Sequence, residues 1–286
     1  MKDSGSCTLT LSCPDQTGIV ARVAGLVAAM GGWITEASHH ADPCQGIFFM
    51  RQQIRADSLA GGIGDFCRSF APLARELGME WQISDQRIPK RVIILVSGQG
   101  HCLYDLLGRW RSGELHMDIP CVVSNHETFR GLVEWHGIPF YHVPVPERDK
   151  TRAFSAIREI FENGKGDLMV LARFMQILPA DFCERYPQKI INIHHSFLPS
   201  FVGAQPYHQA YSKGVKLVGA TCHYVTPDLD QGPIIDQDVI RVNHADTPDH
   251  LVRMGRDVEK IVLSRGVRYH LENRVLLHGN RTVVFT

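Results

Sequence analysis

The spacing of apolar residues over the first 84 positions predicts a small domain of alternating strands and helices. Apolar and polar residues alternate where a half-buried strand is expected, and they recur at helical spacing between Ile19 and Met30, just before Gly31-Gly32. The predicted elements, in chain order, are strand 7–13, helix 19–30, strands 33–40 and 47–54, helix 66–77 and strand 79–83. This β-α-β-β-α-β order predicts a ferredoxin-like domain over residues 1–84.

A second pattern begins after the polar linker 85–90. Residues 92–96 form a nearly continuous apolar run, which is typical of a strand covered on both faces. The further predicted elements are helix 102–111, strand 119–124, helix 127–135, strand 140–143, helix 151–161 and strands 168–172, 190–193 and 217–225. Strands and helices that alternate at this spacing predict a Rossmann-like, mostly parallel sheet with helices on both faces, over residues 91–286.

Candidate chemistry is expected where polar residues follow the later strands, because ligands bind at the carboxyl ends of such sheets. Asn192 lies among isoleucines, and burying its amide without partners would cost about 1–3 kcal/mol. Asn192 and His194 are two residues apart and are predicted to share one face of a strand, with His195 on the other. The alternative is that both merely tie down the loop that begins at Pro199.

A second polar cluster follows the predicted strand 217–225, which includes His223. Asp228 and Asp230 come directly after that strand, although acidic residues there could also form a solvated turn. An amide, an imidazole and a carboxylate from two strand ends could act on an acyl carbon, by stabilising an oxyanion and orienting a nucleophile. No serine or cysteine lies in a nucleophile-elbow motif, which favours direct attack by water or by an amine.

Composition, cysteine spacing and incomplete motifs argue against several other classes of protein. Thirty basic and thirty acidic residues give a formal charge of zero, which argues against binding to nucleic acid or to anionic membranes. The eight cysteines form no C-x-x-C pair, so neither a disulfide framework nor a zinc knuckle is expected. The loop Ser97–Leu103 lacks the third glycine of a dinucleotide site, and 126–130 lacks the second histidine of a zinc-protease helix. The first residues, 1–6, contain no apolar export signal, so a cytoplasmic location is expected.

Two sequence motifs carry a resemblance to a known family. One is Ile-Asn-Ile-His-His-Ser-Phe-Leu-Pro at 191–199, and the other is His223-x-Val-Thr-x-x-Leu-Asp230-x-Gly-Pro-Ile-Ile. Together with Gly203-Ala-x-Pro-Tyr-His-Gln-Ala, they resemble the folate-dependent formyltransferases, and over the whole chain the formyltetrahydrofolate deformylase family. That family joins an N-terminal ACT domain to a formyltransferase-like domain.

The resemblance implies that 10-formyltetrahydrofolate and water give tetrahydrofolate and formate. Asn192 and His194 would then bracket the formyl oxygen, and Asp230 would be the active-site carboxylate that holds the attacking water. The resemblance further implies a folate slot, for which the expected residues are Arg173, Phe174, Met175, Gln176, Ile177, Leu178, His223 and Thr226. Neither a cofactor nor a metal ion is expected, because folate is the substrate. For His223, a role beside Asp230 and a role as a buried structural histidine both stay open.

For the N-terminal domain the resemblance implies regulation. ACT domains bind small amino acids at the turn into the first helix, and the corresponding residues here are Asp15, Gln16, Thr17, Gly18 and Ile19. A helix N-terminus suits a carboxylate, and glycine and methionine are the candidate effectors because both draw on one-carbon metabolism. The pairing of such domains implies a homodimer or a homotetramer. The alternative is a dimerisation module with no ligand.

Two other functions stay open from the sequence. One is a transferase that formylates an amine, and the other is a folate-binding sensor without catalysis. The loop 97–102 departs from the Asn-Gly-Ser-Asn pattern with which ribonucleotide-dependent relatives bind phosphate, which disfavours a phosphorylated acceptor. Intact Asn192, His194 and Asp230 argue against the sensor.

Overall fold

A computed structural model describes residues 5–200 and 206–286. The chain divides into two compact units, Met1–Pro89 with Glu272–Thr286, and Lys90–Leu271. Gly203 and Ala204 of the third sequence motif lie outside the described residues. Among the residues that are described, no helix combines the length and the apolar character needed to cross a membrane.

The first unit is built on a four-stranded antiparallel sheet in the order β2-β3-β1-β4. Its elements are β1 (Ser6–Pro14), α1 (Ile19–Ala29), β2 (Ile34–Asp42), β3 (Ile47–Arg55), α2 (Gly62–Glu76) and β4 (Glu80–Asp85). The two helices bury Val23, Val27, Phe66 and Phe70 in the core of this unit. The antiparallel sheet is ferredoxin-like, and its elements follow in the predicted order.

The second unit contains an eight-stranded mixed sheet. Its strands and helices are β5 (Lys90–Val96), α3 (His101–Arg111), β6 (Met117–Asp118), β7 (Val122–Ser124), α4 (Arg130–Trp135), β8 (Phe140–His142), α5 (Lys150–Asn163), β9 (Leu168–Leu171), α6 (Ala180–Arg185), β10 (Ile190–His194), α7 (Pro206–Lys213), β11 (Leu217–Tyr224), β12 (Ile234–Arg241) and α8 (Pro248–Leu271). The sheet order is β12-β11-β10-β9-β5-β7-β8, with β6 beside β5.

Strand direction in this sheet explains where a ligand can enter. The strands from β10 through β9, β5 and β7 to β8 are parallel, whereas β11 runs antiparallel to both of its neighbours, β10 and β12. The central residues of β5, Val92–Val96, have no exposed surface, as their apolar run predicts. The chain continues from β5 to β7 on one side and to β9 on the other, so the order reverses between β5 and β9. A crevice is expected at the carboxyl ends of those two strands.

Two predicted elements begin three residues later than their patterns indicate. The strand predicted from Ile119 starts only at Val122, because Pro120 has no N–H to give to the sheet. The helix predicted from Glu127 starts at Arg130, because the Glu127 carboxylate pairs with Arg130 and His142 beside the turn.

The C-terminal residues correct the predicted domain boundary. The second domain was expected to run to residue 286, but the hairpin of β13 (Val275–His278) and β14 (Arg281–Val284) belongs to the first unit. Arg274 explains the difference, because its Nη1 lies 3.0 Å from Glu36 Oε1 on β2. All eight cysteines are free thiols, as the absence of paired spacings indicates.

Candidate active site

Two polar side chains at the end of β10 face β11. Asn192 pairs in register with His223, and His194 pairs with Thr221. His194 is buried, while Asn192 is half-buried. The structure therefore brings the two predicted residues to one sheet edge, where parallel strands end.

Asp230 reaches these residues from the loop between β11 and β12. Its Oδ2 lies 3.3 Å from His194 Nδ1, and its Oδ1 lies 3.7 Å from His223 Nε2. Burial by itself would raise the pKa of Asp230, but hydrogen bonds and charge attraction from the two imidazoles outweigh burial and hold the pKa well below its usual range. Asp230 is therefore ionised at neutral pH, and an anion faces His194.

His223 orients the Asn192 amide. His223 Nδ1 lies 2.8 Å from the Tyr224 carbonyl oxygen, which can only accept, so Nδ1 donates. Nε2 lies 3.2 Å from Asn192 Nδ2 and 3.7 Å from Asp230 Oδ1, so it accepts from the amide when it carries no proton and presents its N–H to the carboxylate when it does. Because Nδ2 carries two hydrogens, the second one remains for a ligand oxygen. His223, for which the sequence left two roles open, thus contacts both Asn192 and Asp230.

The loop after β10 is fixed by a buried hydroxyl. Thr221 Oγ1 donates to the Ser196 carbonyl at 2.9 Å and accepts from the Leu198 N–H at 3.0 Å. Gln237 Nε2 donates to the same hydroxyl at 2.9 Å and to the Leu198 carbonyl at 3.1 Å. These contacts hold the loop that carries His195, whose ring lies 5.2 Å from that of His194, between centroids.

His195 differs from its prediction. Strict alternation along a strand would have pointed it away from Asn192 and His194, but β10 ends at His194 and the ring of His195 lines the same cavity. Burial, assisted by the nearby Arg173 charge, lowers the pKa of His195 to about 4. The ring is therefore neutral at physiological pH.

A cavity of about 740 Å³ lies beside the three polar residues. Its volume is in the range of small-molecule sites. The residues that were expected to form a folate slot all line it, namely Arg173, Phe174, Met175, Gln176, Ile177, Leu178, His223 and Thr226. Phe174 and Leu178 are anchored in the core, while Met175 and Ile177 are exposed. An apolar wall that is partly open and partly fixed suits a flat heteroaromatic ligand.

Arg173 has a different environment from the rest of that slot. Its backbone is left-handed, with φ of 65°, and its Nε lies 3.3 Å from Glu259 Oε2 on α8. Glu259 also accepts from Tyr207 OH at 2.7 Å and lies 2.8 Å from His101 Nε2. Glu259 is not among the residues expected from the sequence, and its partners come from α3, α7 and the end of β9. One signal was present: the glutamate lies on the apolar side of a helical pattern.

Three atoms of this cluster have the spacing of metal ligands. One atom each from His101, Cys102 and Glu259 lie within 4.8 Å of one another. Burial, however, raises the pKa of the Cys102 thiol far above its usual value, and the Arg173 guanidinium already faces Glu259. A protonated thiol and an adjacent cation oppose metal binding. The cluster is better described as an internal ion-pair network.

The predicted amino-acid site lies at the turn into α1. Asp15, Gln16, Thr17 and Gly18 are exposed, whereas Ile19 is buried in the core. Gly18 precedes the helix with φ of 91°, and the Asp15 N–H donates to the Gly46 carbonyl at 2.7 Å. These residues therefore form an exposed turn at the N-terminus of a helix.

Comparisons with known proteins agree over nearly the whole chain. The Formyl transferase family matches residues 90–267. A formyltetrahydrofolate deformylase of Synechocystis sp. is 46% identical over 282 residues, which are 98% of this chain and 98% of the relative. A formyltetrahydrofolate deformylase of Bacillus subtilis is 44% identical over 278 residues, 97% of this chain and 93% of the relative.

Solved structures give the same grouping. A formyltetrahydrofolate deformylase from Pseudomonas syringae pv. tomato superposes with a TM-score of 0.96 at 56% identity, covering 98% of this chain and 94% of that one. A glycinamide ribonucleotide transformylase from Symbiobacterium toebii has a TM-score of 0.65 at 30% identity, covering 69% of this chain and 95% of that one. The likeness to transformylases therefore covers a smaller part of the chain than the likeness to deformylases.

Proposed function

The chain belongs to the formyltetrahydrofolate deformylase family, and from this premise we propose that it hydrolyses 10-formyltetrahydrofolate to tetrahydrofolate and formate at Asn192, His194 and Asp230. The observation that carries the proposal is the position of the Asp230 carboxylate, which lies 3.3 Å from His194 and 3.7 Å from His223 at the edge of the cavity. A hydrolytic site needs groups for the water, for the oxyanion and for the leaving nitrogen, and these side chains can supply all three.

The formyl oxygen has two candidate donors. Asn192 Nδ2 keeps one hydrogen after its contact with His223. His194 Nε2 is buried and has no hydrogen-bond partner within residues 5–200 and 206–286, while its Nδ1 faces Asp230. When His194 is protonated, Nδ1–H donates to the carboxylate and Nε2–H is available for the oxygen that becomes negative. Donors already in place at that point stabilise the tetrahedral intermediate.

Asp230 acts on the nucleophile. Its ionised carboxylate can accept a hydrogen bond from water and orient the oxygen toward the formyl carbon. The water oxygen forms the new bond to that carbon, and the carbon–nitrogen bond to the folate then breaks. The proton released by the water passes through Asp230 or His194 to the departing nitrogen. Water and these side chains supply every atom and proton, so the proposed reaction uses no cofactor.

The test is formate release from 10-formyltetrahydrofolate by the purified protein without an amine. The paired variants Asp230→Asn and Asp228→Asn make the same change two residues apart, at a cavity carboxylate and at an exposed one. Asparagine tolerates the left-handed backbone that Asp230 adopts, with φ of 57°. We expect kcat to fall about 10²–10⁴-fold in Asp230→Asn, the range for loss of a general acid–base group, and to change little in Asp228→Asn. Equal rates in the two variants would contradict the assigned role.

For the first unit, we propose an ACT-type regulatory role for residues 15–19, with glycine or methionine as effector, in a cytoplasmic homodimer or homotetramer. The support is the ferredoxin-like sheet and the exposed turn at the start of α1. A carboxylate would be bound there by the backbone N–H groups of the first helical turn. Calorimetric titration with each amino acid, together with sedimentation analysis, tests both parts. No heat and no change in rate would leave a structural module only.

A further inference from the structure

We propose that the Arg173–Glu259 ion pair determines which molecule accepts the formyl group. The Arg173 guanidinium pairs with the Glu259 carboxylate in the cavity wall, and without this pairing the carboxylate would bind an amine. The inference rests on the proposed hydrolysis and assigns a specificity role to two residues outside the Asn192–His194–Asp230 set. Glu259 and Arg173 both line the cavity that contains those three residues. The chemical class that is excluded is a primary amine that would receive the formyl group.

Glu259 is an ionised carboxylate enclosed by partners from its own chain. Its side chain is 1% exposed, and it contacts His101 at 2.8 Å, Tyr207 at 2.7 Å and Arg173 at 3.3 Å. Burial by itself would raise its pKa, but the hydrogen bond from His101 and the charge of Arg173 outweigh burial and lower the pKa. An anion is therefore kept in the cavity wall, and its neutralisation depends on internal cations and donors.

The cluster is built into the helix that carries Glu259. Gly255 lies one turn before Glu259 on α8, and a Cβ at this position would overlap the Tyr207 ring. The missing side chain lets Tyr207 lie against the helix, so that its hydroxyl reaches the carboxylate. Close backbone approach is a reason for glycine within a helix, where it otherwise costs about 1 kcal/mol relative to alanine.

The anionic wall is connected to the reaction site through ring contacts. The rings of His194 and His195 are 5.2 Å apart, and those of His195 and Tyr207 are 6.3 Å apart, between centroids. Tyr207 in turn donates to Glu259. An amine held by Glu259 would thus lie in the same cavity as the groups assigned to the formyl oxygen.

Arg173 makes that position unavailable. Its Nε faces Glu259, and its Nη2 donates to Gln99 Oε1 at 3.2 Å. The Arg173 guanidinium takes the place at the carboxylate that the ammonium or amine group of a second substrate would otherwise have. Water is abundant enough to reach the Asp230 carboxylate without a further binding site, whereas a dilute amine competes only when it is bound next to the formyl carbon. Filling the anionic wall with an internal cation therefore favours hydrolysis over transfer.

The backbone conformation at Arg173 allows the side chain to be removed without a change in the turn. Its φ of 65° is the left-handed conformation that glycine adopts without steric cost. Arg173→Gly should keep the turn after β9 and free the Glu259 carboxylate. In the freed site, the nitrogen of a neutral primary amine attacks the formyl carbon, the carbon–nitrogen bond to the folate breaks, and the amine proton moves to the folate nitrogen. The products are an N-formyl amine and tetrahydrofolate.

The experiment measures the partition of product between formate and N-formylglycinamide, with glycinamide as the probe amine. We expect the amide-to-formate ratio to rise about 10- to 100-fold in Arg173→Gly, the gain of a charge-assisted hydrogen bond. The double variant Arg173→Gly/Glu259→Gln empties the same space without the anion and should keep the wild-type ratio. Arg256→Ala, which removes another arginine from the cavity lining, should not raise the ratio either.

Each outcome decides the proposal. An unchanged ratio in folded Arg173→Gly overturns it, and so does an equal gain in the double variant, because space and not charge would then select the acceptor. If Arg173→Gly does not fold, Arg173→Asn replaces it, since asparagine also accepts the left-handed region. Wild-type formate release without amine tests the hydrolysis separately: its failure refutes the proposed function, whereas a flat ratio with intact hydrolysis refutes only the ion-pair role.

Discussion

Asp230 combines a constrained backbone with a strongly stabilised charge. The residue has a left-handed φ of 57°, and its side chain is 9% exposed. Both carboxylate oxygens face imidazoles, one from β10 and one from β11. Backbone strain of this kind is often found at functional positions. The anion is thereby placed beside the formyl-oxygen donors without an internal lysine or arginine neutralising it among the contacts described, in contrast to Glu259.

The pH dependence of stability should report the burial of His195. Burial, with help from the Arg173 charge and against the nearby Glu259 and Asp230 carboxylates, lowers the pKa of His195 to about 4, while an unfolded histidine titrates near about 6.5. Between these values the unfolded chain binds a proton that the folded chain does not. The free energy of unfolding therefore falls as the pH decreases through this window. The expected loss is up to about 3 kcal/mol, at about 1.4 kcal/mol per pKa unit.

This loss is measured by urea denaturation at a series of pH values between about pH 7 and pH 4. Hydrogen exchange of the β10 amides serves as the readout, because it reports on the second unit. His195→Gln should flatten the slope, because the titrating group is gone. His208→Gln replaces an exposed histidine that lines the same cavity and should keep the wild-type slope. Parallel slopes for His195→Gln and the wild type would contradict the buried neutral ring.

The candidate residues differ in how far sequence alone could identify them. Asn192, His194 and Asp230 follow strands directly, so strand periodicity predicts that they meet at one sheet edge. Glu259 lies on a helix, and its partners Arg173 and His101 are far away in sequence. No local pattern shows which distant side chains neutralise a helical glutamate, and that pairing depends on the packing of α3, α7 and α8.

At the level of elements, the junction between β11 and the loop after β10 holds the site in place. One buried hydroxyl, Thr221 Oγ1, makes contacts to Ser196, Leu198 and Gln237. Thr221 is also the register partner of His194. A strand residue thus links the loop geometry to the position of an oxyanion donor.

Thr221→Val should therefore reduce both stability and activity. The change keeps the side-chain shape but leaves the Ser196 carbonyl and the Leu198 N–H without this partner, which costs about 1–3 kcal/mol. Urea denaturation and kcat for formate release measure the two effects. The matched change is Thr8→Val, because Thr8 is equally buried and its hydroxyl has no hydrogen-bond partner in the part of the chain that the structure describes. Thr8→Val should leave the free energy of unfolding unchanged or raise it. A similar loss of stability in both variants would contradict the role assigned to the hydrogen bonds of Thr221.

Helix α8 and the C-terminal hairpin show where element prediction was incomplete. The helix buries Leu251, Val258, Val262 and Val267 at helical spacing, so periodicity could have found it. The hairpin could not be assigned to a unit in this way, because alternation predicts strands but not the sheet or unit they join. That assignment follows from ion pairs between residues that are more than two hundred positions apart in the sequence.

On the scale of the whole molecule, the first unit is completed by the end of the chain. The Arg51 guanidinium is 1% exposed; its Nη1 lies 2.9 Å from Glu36 Oε1, and its Nη2 donates to the Glu272 carbonyl at 3.2 Å. Glu36 also pairs with Arg274. Burial would raise the pKa of Glu36, but the two arginines outweigh burial and lower it. The charge balance around the buried Arg51 therefore depends on residues from both ends of the sequence.

Arg274→Ala should destabilise the first unit more than Arg281→Ala does. Arg274 is 19% exposed and contacts Glu36 at 3.0 Å and the Phe285 carbonyl at 2.9 Å, whereas Arg281 is 61% exposed and pairs with Asp42 at 3.1 Å. Half-buried charged hydrogen bonds contribute about 1–3 kcal/mol, and exposed pairs about 0–1 kcal/mol. Hydrogen exchange of β2 and β3 amides measures the local loss, with β9 amides as the internal reference. Equal protection of β2 in the two variants would mean that the hairpin packs onto this sheet without contributing to its stability.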